Sequence, residues 1–518
     1  MKKLQFYILV FQKYFGPRFF IICYEIYIFV ISKIIFIVFS PESIYRIRGT
    51  SKKNYTPGLS DIDLLIISKN EESSKSIISF LRFLHKVIPL IEYHPCLITT
   101  YENLVRNFNL YAFWKYRYLQ MKHEGSLIYG PDKLQNLEDP NQNDLREIAW
   151  NEISEWIFYI HKQLLYQKYE YKWQYNLFYY KILVEIYRLY LGFSRNLFFI
   201  DQKQTIELSY ECKEFDSKII ERLINIKENF FLTNISRDDQ IQFEDEFFKI
   251  LNLIVNMLYA GSVNQIEISI KPNTKNNKHK KELHNFKWAL TQEGISLDFQ
   301  LIQCCEFYFS EFLLIITVPD DKSLFDFDWK KIRELKSIYC SKEFKLCIKT
   351  KFNSGLIYLE QLTSAMNYHS FFHHALFPDL KFFLEENIDF SELKAPKHFQ
   401  GTCSTLFVNS KKNIIFDIET FIYSKETYKY NFYNFIQGFW KVIYAIYIAE
   451  QLNQSKKVLL IYSPEELIEL DPMYKTQYSF YLTLYHKTTI DSSPLVDNQF
   501  YTVALKFLDQ RYKASFLH

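Results

Sequence analysis

The spacing of apolar and polar positions divides the chain into stretches of different character. Residues 19–39 read FFIICYEIYIFVISKIIFIVF, an apolar run close to the ~20 residues that cross a bilayer. Lys2, Lys3, Lys13 and Arg18 precede it. Glu25 and Lys33 interrupt it, and each would cost roughly 2.5–3.5 kcal/mol near the centre of an inserted helix. No small-residue cleavage site of a secretory signal follows. The run is therefore expected to be a buried helix leading into the first domain. Membrane contact through 19–39, as an anchor or an interfacial helix, is the alternative.

After this helix the period shortens. SIYRIRG (43–49) alternates as a strand does, TSKKNYTPGLS is a turn-rich loop punctuated by Pro57 and Gly58, and DIDLLIIS (61–68) is a second strand. Residues 69–86 carry helical spacing, 87–99 read as a third extended segment, and EGSLIYGPD (124–132) reads as a closing loop. Strand, loop, strand, helix, strand predicts a small α/β domain. Helical periodicity then dominates 145–191 and 239–258. KPNTKNNKHKKEL (271–283) lacks it and reads as a linker. Beyond it, strands are expected at 312–321 and 343–350, helices at 328–339 and 354–366, and a long helix at 430–452. The predicted organisation is N-terminal hydrophobic helices at 1–40, an α/β domain at 41–135, a helical domain at 140–270, and an α/β and helical region at 284–518.

Composition narrows the function classes. At 518 residues the chain exceeds the roughly 150 residues typical of one domain, so several cores are expected. Apolar residues at 48% and charged residues at 23% match a globular protein that buries large cores. A net charge of +3 from 62 Lys+Arg against 59 Asp+Glu argues against a broad basic face for duplex DNA. The eight cysteines form no CxxC pair, so they read as reduced thiols of a cytoplasmic protein rather than a zinc or redox motif. His369, His373 and His374 lack the Glu of an HExxH motif and are not taken as a metal site.

The chemistry concentrates around Asp61 and Asp63. On a strand, alternate residues share a face, so the two carboxylates are expected side by side, roughly 6–7 Å apart at Cα. Two anions so placed repel unless a cation lies between them, and Mg2+ favours carboxylate and phosphate oxygens. Upstream, Gly49 lets the backbone turn and approach a ligand, while Thr50, Ser51 and Ser60 offer hydroxyls and N–H groups to phosphate oxygens. Glu92, inside the apolar PLIEYHP, is either an exposed edge residue or a third carboxylate of the same site, acting as metal ligand or base.

RGTSKKNYTPGLSDIDLLII (48–67) resembles the signature of the polymerase-β-like nucleotidyltransferase superfamily, in particular its antibiotic (aminoglycoside-type) members. PLIEYH resembles the strand carrying their third carboxylate, and EGSLIYG the loop closing their catalytic domain. Thr50 stands where the family has Ser and retains the hydroxyl. The resemblance covers about a quarter of the chain. It implies an α/β (α+β) nucleotidyltransferase domain with a mixed sheet, followed by a largely helical region and a smaller second α/β unit. It further implies Mg2+ held by Asp61, Asp63 and Glu92, and an NTP substrate, ATP being expected. Nucleotide transfer would go to an acceptor hydroxyl with release of pyrophosphate. Lys181, in the helical region, is a candidate cation for the triphosphate, as lysines are in some relatives; the other reading is a surface lysine. The acceptor is a small molecule or a macromolecule such as a protein or RNA. A nucleotidyltransferase fold without activity, serving as a binding module, is the competing expectation.

Overall fold

The structure is a computed structural model. It describes residues 17–47, 62–87, 97–110, 112–166, 172–228, 233–259, 266–269, 280–295, 298–303, 312–341, 344–349, 351, 356–359, 394–395, 457–459 and 464–487, with single helical positions within 7–15, 436–447 and 500–511. The chain divides into two compact units. Unit 1 comprises Met1–Ile148 with Leu197–Asp201, and unit 2 comprises Ala149–Asn196 with Gln202–His518.

Unit 1 opens with α1 (Pro17–Phe39), followed by β1 (Ser43–Arg46) and β2 (Leu64–Ser68). Next come α2 (Glu71–Val87), β3 (Ile98–Thr100), α3 (Tyr101–Leu110), α4 (Ala112–Glu124) and β4 (Ser126–Tyr129). The four strands form a mixed sheet in the order β3-β2-β1-β4. β1 runs antiparallel to β2 and β4, while β2 and β3 are parallel. Each residue of β1 and β2 is buried, which suits a strand with both faces covered and explains the unbroken run LLII.

One face of that sheet is closed by two helices. Ile44, Ile62, Leu64, Ile66 and Ile98 pack with Tyr24, Ile28, Ile31 and Ile35 of α1 and with Ile77, Ile78 and Leu81 of α2. The helix α2 forms for local reasons. Asn70 Oδ1 accepts from Ser73 N at 2.8 Å, a cap for the first turn. Glu71 and Glu72 begin the helix and His85 and Lys86 end it, which complements the helix dipole.

Several expectations for this unit are corrected. EGSLIYG is not a loop: its middle is β4, paired with β1 through Tyr45↔Leu127 and Arg46↔Ser126. Leu127 on this edge strand is exposed, so the segment lacks the buried alternation that marks a strand. Of the third extended segment, Val87 ends α2, 88–96 lie outside the described residues, and Ile98–Thr100 form the strand β3. Regular strand begins at Leu64 rather than at Asp61. Helices α3 and α4 fill 101–124, where no element was expected. Thr100 Oγ1 accepts from Asn103 N at 3.2 Å and caps α3.

Unit 2 contains most of α5 (Gln142–Tyr166), then α6 (Lys172–Arg195), α7 (Gln202–Ser209), α8 (Ser217–Glu228) and α9 (Arg237–Tyr259). Buried Tyr–Glu hydrogen bonds tie α6 to α9: Tyr179 donates to Glu244 at 2.8 Å and Tyr187 to Glu246 at 3.2 Å. Further along are β5 (Ile266–Ser269), α10 (Lys280–Gln292), β6 (Asp298–Gln303), β7 (Phe312–Thr317), α11 (Trp329–Tyr339), β8 (Phe344–Lys349) and β9 (Leu356–Tyr358). β6-β7-β8-β9 form a second mixed sheet, and β5 is flanked by β10 (Lys394–Ala395) and β11 (Lys457–Leu459). Helices α12 (Pro464–Leu470) and α13 (Lys475–Lys487) follow.

The helix expected at 354–366 is contradicted at its start, since Leu356–Tyr358 is a strand. Leu359 N donates to Leu346 O at 2.8 Å, so the backbone of this short apolar run completes the β8 edge. Four apolar residues cannot distinguish the two periods. Helix α10 also starts within the expected linker. At 430–452 the described helical positions Ile436, Phe439, Trp440, Ile443 and Tyr447 are all buried, a stripe at helical spacing. The molecule is mostly helical around small mixed sheets, in keeping with the expected α/β mixture.

Candidate functional site

The strand ends that flank the expected motif segments lie at one end of the unit 1 sheet. Antiparallel pairing sets Arg46 opposite Leu64, and Ile47 N donates to Asp63 O at 3.3 Å just beyond that pair. The chain therefore leaves β1 and enters β2 at the same end. Parallel pairing sets Ile66 opposite Ile98, so the chain also enters β3 there. Residues 48–61, which include Gly49, Thr50, Ser51, Ser60 and Asp61, join the first two strands. Glu92 lies in the segment leading into the third. Those six residues are outside the described residues, and Asp63 is the member of the carboxylate set that the structure describes.

Asp63 is buried, with 6% of its surface exposed. Its neighbours Ile62 and Leu64 belong to the core that faces α1 and α2. By strand alternation Asp63 falls on the opposite face, with Leu65 and Ile67. A carboxylate is a hard oxygen donor of the kind that binds Mg2+, so Asp63 has the chemistry of a magnesium ligand. Among the described residues no group of three or more His, Cys, Asp or Glu side chains could hold a metal; the sequence offers Asp61 and Glu92 as the remaining donors.

Two polar clusters brace the strands that carry this end, and the sequence did not point to either. On the α1 side, Arg46 makes a two-pronged contact with Glu25, at 2.8 Å and 2.6 Å. In the sequence Glu25 is a charge interrupting an apolar helix, and nothing local links it to a residue 21 positions away. On the other side, the Tyr45 hydroxyl donates to Asp132 Oδ1 at 3.1 Å and accepts from Lys133 N at 2.5 Å. Burial is the main cause that raises its pKa to about 12, so it remains a neutral hydrogen-bonding hub. Ser43 Oγ donates to Pro131 O at 2.6 Å. The turn itself needs Gly130, whose φ is +85° and whose added Cβ would lie 1.9 Å from Glu42 O.

Lys181 lies on α6 in unit 2, whereas Asp63 belongs to unit 1. It is exposed, and its Nζ is 6.0 Å from the centre of the Tyr159 ring, a separation at the outer limit of a cation–π contact.

Comparison with protein families, with curated proteins and with solved structures found no match to this chain.

Proposed function

We propose that unit 1 is a polymerase-β-like, magnesium-dependent nucleotidyltransferase domain. In this reading it moves a nucleoside monophosphate from an NTP, ATP being expected, to an acceptor hydroxyl and releases pyrophosphate. The observation that supports it is topological. The end of β1 and the starts of β2 and β3 meet at one sheet end, and the motif residues belong to the segments attached there. The four-stranded mixed sheet is compatible with the fold that the resemblance implies.

In the proposed reaction the acceptor oxygen forms a bond to the α-phosphorus while the bond from that phosphorus to the bridging oxygen breaks. The acceptor proton passes to a carboxylate, with Glu92 as the candidate base. Gly49, Thr50, Ser51 and Ser60 would hold the triphosphate oxygens through backbone N–H and hydroxyl groups. Asp61, Asp63 and Glu92 would hold magnesium, which supplies charge neutralisation for the attacking and leaving oxygens. Positioning and charge account for most catalysis of this kind, so a buried Asp63 suits the role.

The test incubates the full chain with α-labelled nucleoside triphosphates and Mg2+, beside Asp63→Asn. Label transfer to the protein itself, to cell extract or to small polyols identifies the acceptor class. Loss of one metal-holding charge should lower transfer by at least about 100-fold. Equal transfer by the variant would remove Asp63 from the site. Nucleotide binding with no transfer by either protein would replace the enzyme reading with that of a binding module.

A further inference from the structure

The helix α1 has two apolar faces with different surroundings. Tyr24, Ile28, Ile31 and Ile35 point into the unit 1 core. On the opposite side Phe19, Ile22, Ile26, Phe29, Val30 and Ile37 are 45–66% exposed. N-terminal to α1, the described helical positions Tyr7, Phe11, Tyr14 and Phe15 are also exposed. An apolar, aromatic-rich face of this extent marks an interaction surface.

We infer that this face lies on the surface of an anionic lipid bilayer, with α1 in the plane of the headgroups. Three observations select this occupant. First, the segment is strongly basic: residues 1–39 contain Lys2, Lys3, Lys13, Arg18 and Lys33 against a single acid, Glu25. That acid is already engaged by Arg46, so the charge left for a partner is positive, and anionic lipid attracts it. Second, Lys33 sits within the exposed face, with Nζ 5.7 Å from the centre of the Phe29 ring. On a bilayer its stem lies along the apolar surface while the ammonium reaches a phosphate. Against a second copy of α1, the same ammonium would be buried among apolar side chains and opposed by like charge. Third, although α1 is long and apolar enough to cross a membrane, crossing would pull its packed stripe out of the core and break the Glu25–Arg46 pair. An in-plane helix keeps both. This inference does not depend on the nucleotidyltransferase reading.

The test is flotation of the full chain with vesicles of phosphatidylcholine mixed with phosphatidylserine, against phosphatidylcholine alone. Binding at least about tenfold stronger to the anionic vesicles is expected, weakening as salt screens the charges. Ile26→Asp/Phe29→Asp should reduce binding at least about tenfold. Ile26→Ser/Phe29→Ser should lower it less. Both positions are exposed, so thermal melts should match the wild type, and the milder pair preserves the test if the Asp pair does not fold. Binding that ignores lipid charge, or that neither double variant weakens, would overturn the inference. So would a chain that binds no vesicle, whether it is monomeric or it self-associates through this face in sedimentation.

Discussion

Replacing Glu244 by Gln should stabilise unit 2 at neutral pH and flatten its response to pH. Glu244 is almost completely buried, accepting from Tyr179 at 2.8 Å, from Ser323 Oγ at 2.7 Å and from Leu324 N at 2.9 Å. Burial raises its pKa from 4.5 to about 7, outweighing these three donors and the more distant charge of Lys351. The folded state therefore keeps a proton that the unfolded state releases. Stability contributed by this group is fully present below about pH 4.5 and falls as pH rises toward 7. At about 1.4 kcal/mol per pH unit, the loss is roughly 3 kcal/mol. Gln fits the same partners: its oxygen accepts from Leu324 N, and its amide donates to the two hydroxyls once they rotate. Urea denaturation followed by tryptophan fluorescence at pH 5 and pH 8 measures the effect. The variant should exceed the wild type by less than about 1 kcal/mol at pH 5 and by up to about 3 kcal/mol at pH 8. An unchanged pH slope in the variant would refute the assignment of that slope to Glu244.

Two further substitutions probe the two ends of β1, Gly130 beside its start and Arg46 at the end next to Asp63. Gly130→Ala meets both a positive φ and a 1.9 Å approach to Glu42 O. It should destabilise unit 1 by about 1–3 kcal/mol, read as a lower Tm by circular dichroism, and an unchanged Tm would show that the turn is not rigid. Arg46→Leu leaves Glu25, about a third exposed, without its guanidinium, and should cost about 1–3 kcal/mol. The double variant Glu25→Leu/Arg46→Leu should recover most of that loss, and failure to recover would place Arg46's contribution elsewhere.

Where the sequence was legible, a single face decided the outcome. The stripe of Ile77, Ile78 and Leu81 announced α2, and the LLII run announced β2. Both lie in the unit 1 core or its sheet, where burial enforces the pattern. The edge strand β4 was missed because its residues are exposed or half-buried, and β9 because a short apolar run suits either period. For the candidate site, Asp63 could be singled out from its spacing alone. The ties of the neighbouring strand β1 through Arg46–Glu25 and Tyr45–Lys133 could not, because contacts between residues 21 and 88 positions apart leave no local periodicity. The N-terminal helix was half legible. The expectation of a buried helix holds for the Tyr24–Ile35 stripe, while the opposite face is apolar and exposed.

The alternation of β2 also separates the two proposals physically. Ile62, Leu64 and Ile66 pack toward α1, and Asp63 falls between them on the opposite face. A slip of one residue would exchange the faces, so burial of the three isoleucine and leucine side chains against α1 also fixes the side on which the carboxylate appears. Changes on the exposed face of α1 reach neither this packing nor Asp63. Asp63→Asn should therefore abolish nucleotide transfer while leaving vesicle flotation intact. Ile26→Asp/Phe29→Asp should do the reverse, losing flotation while keeping transfer in solution. If either variant lost both properties while its thermal melt stayed intact, the two faces would be coupled by something other than the strand, and the proposals could no longer be treated as independent.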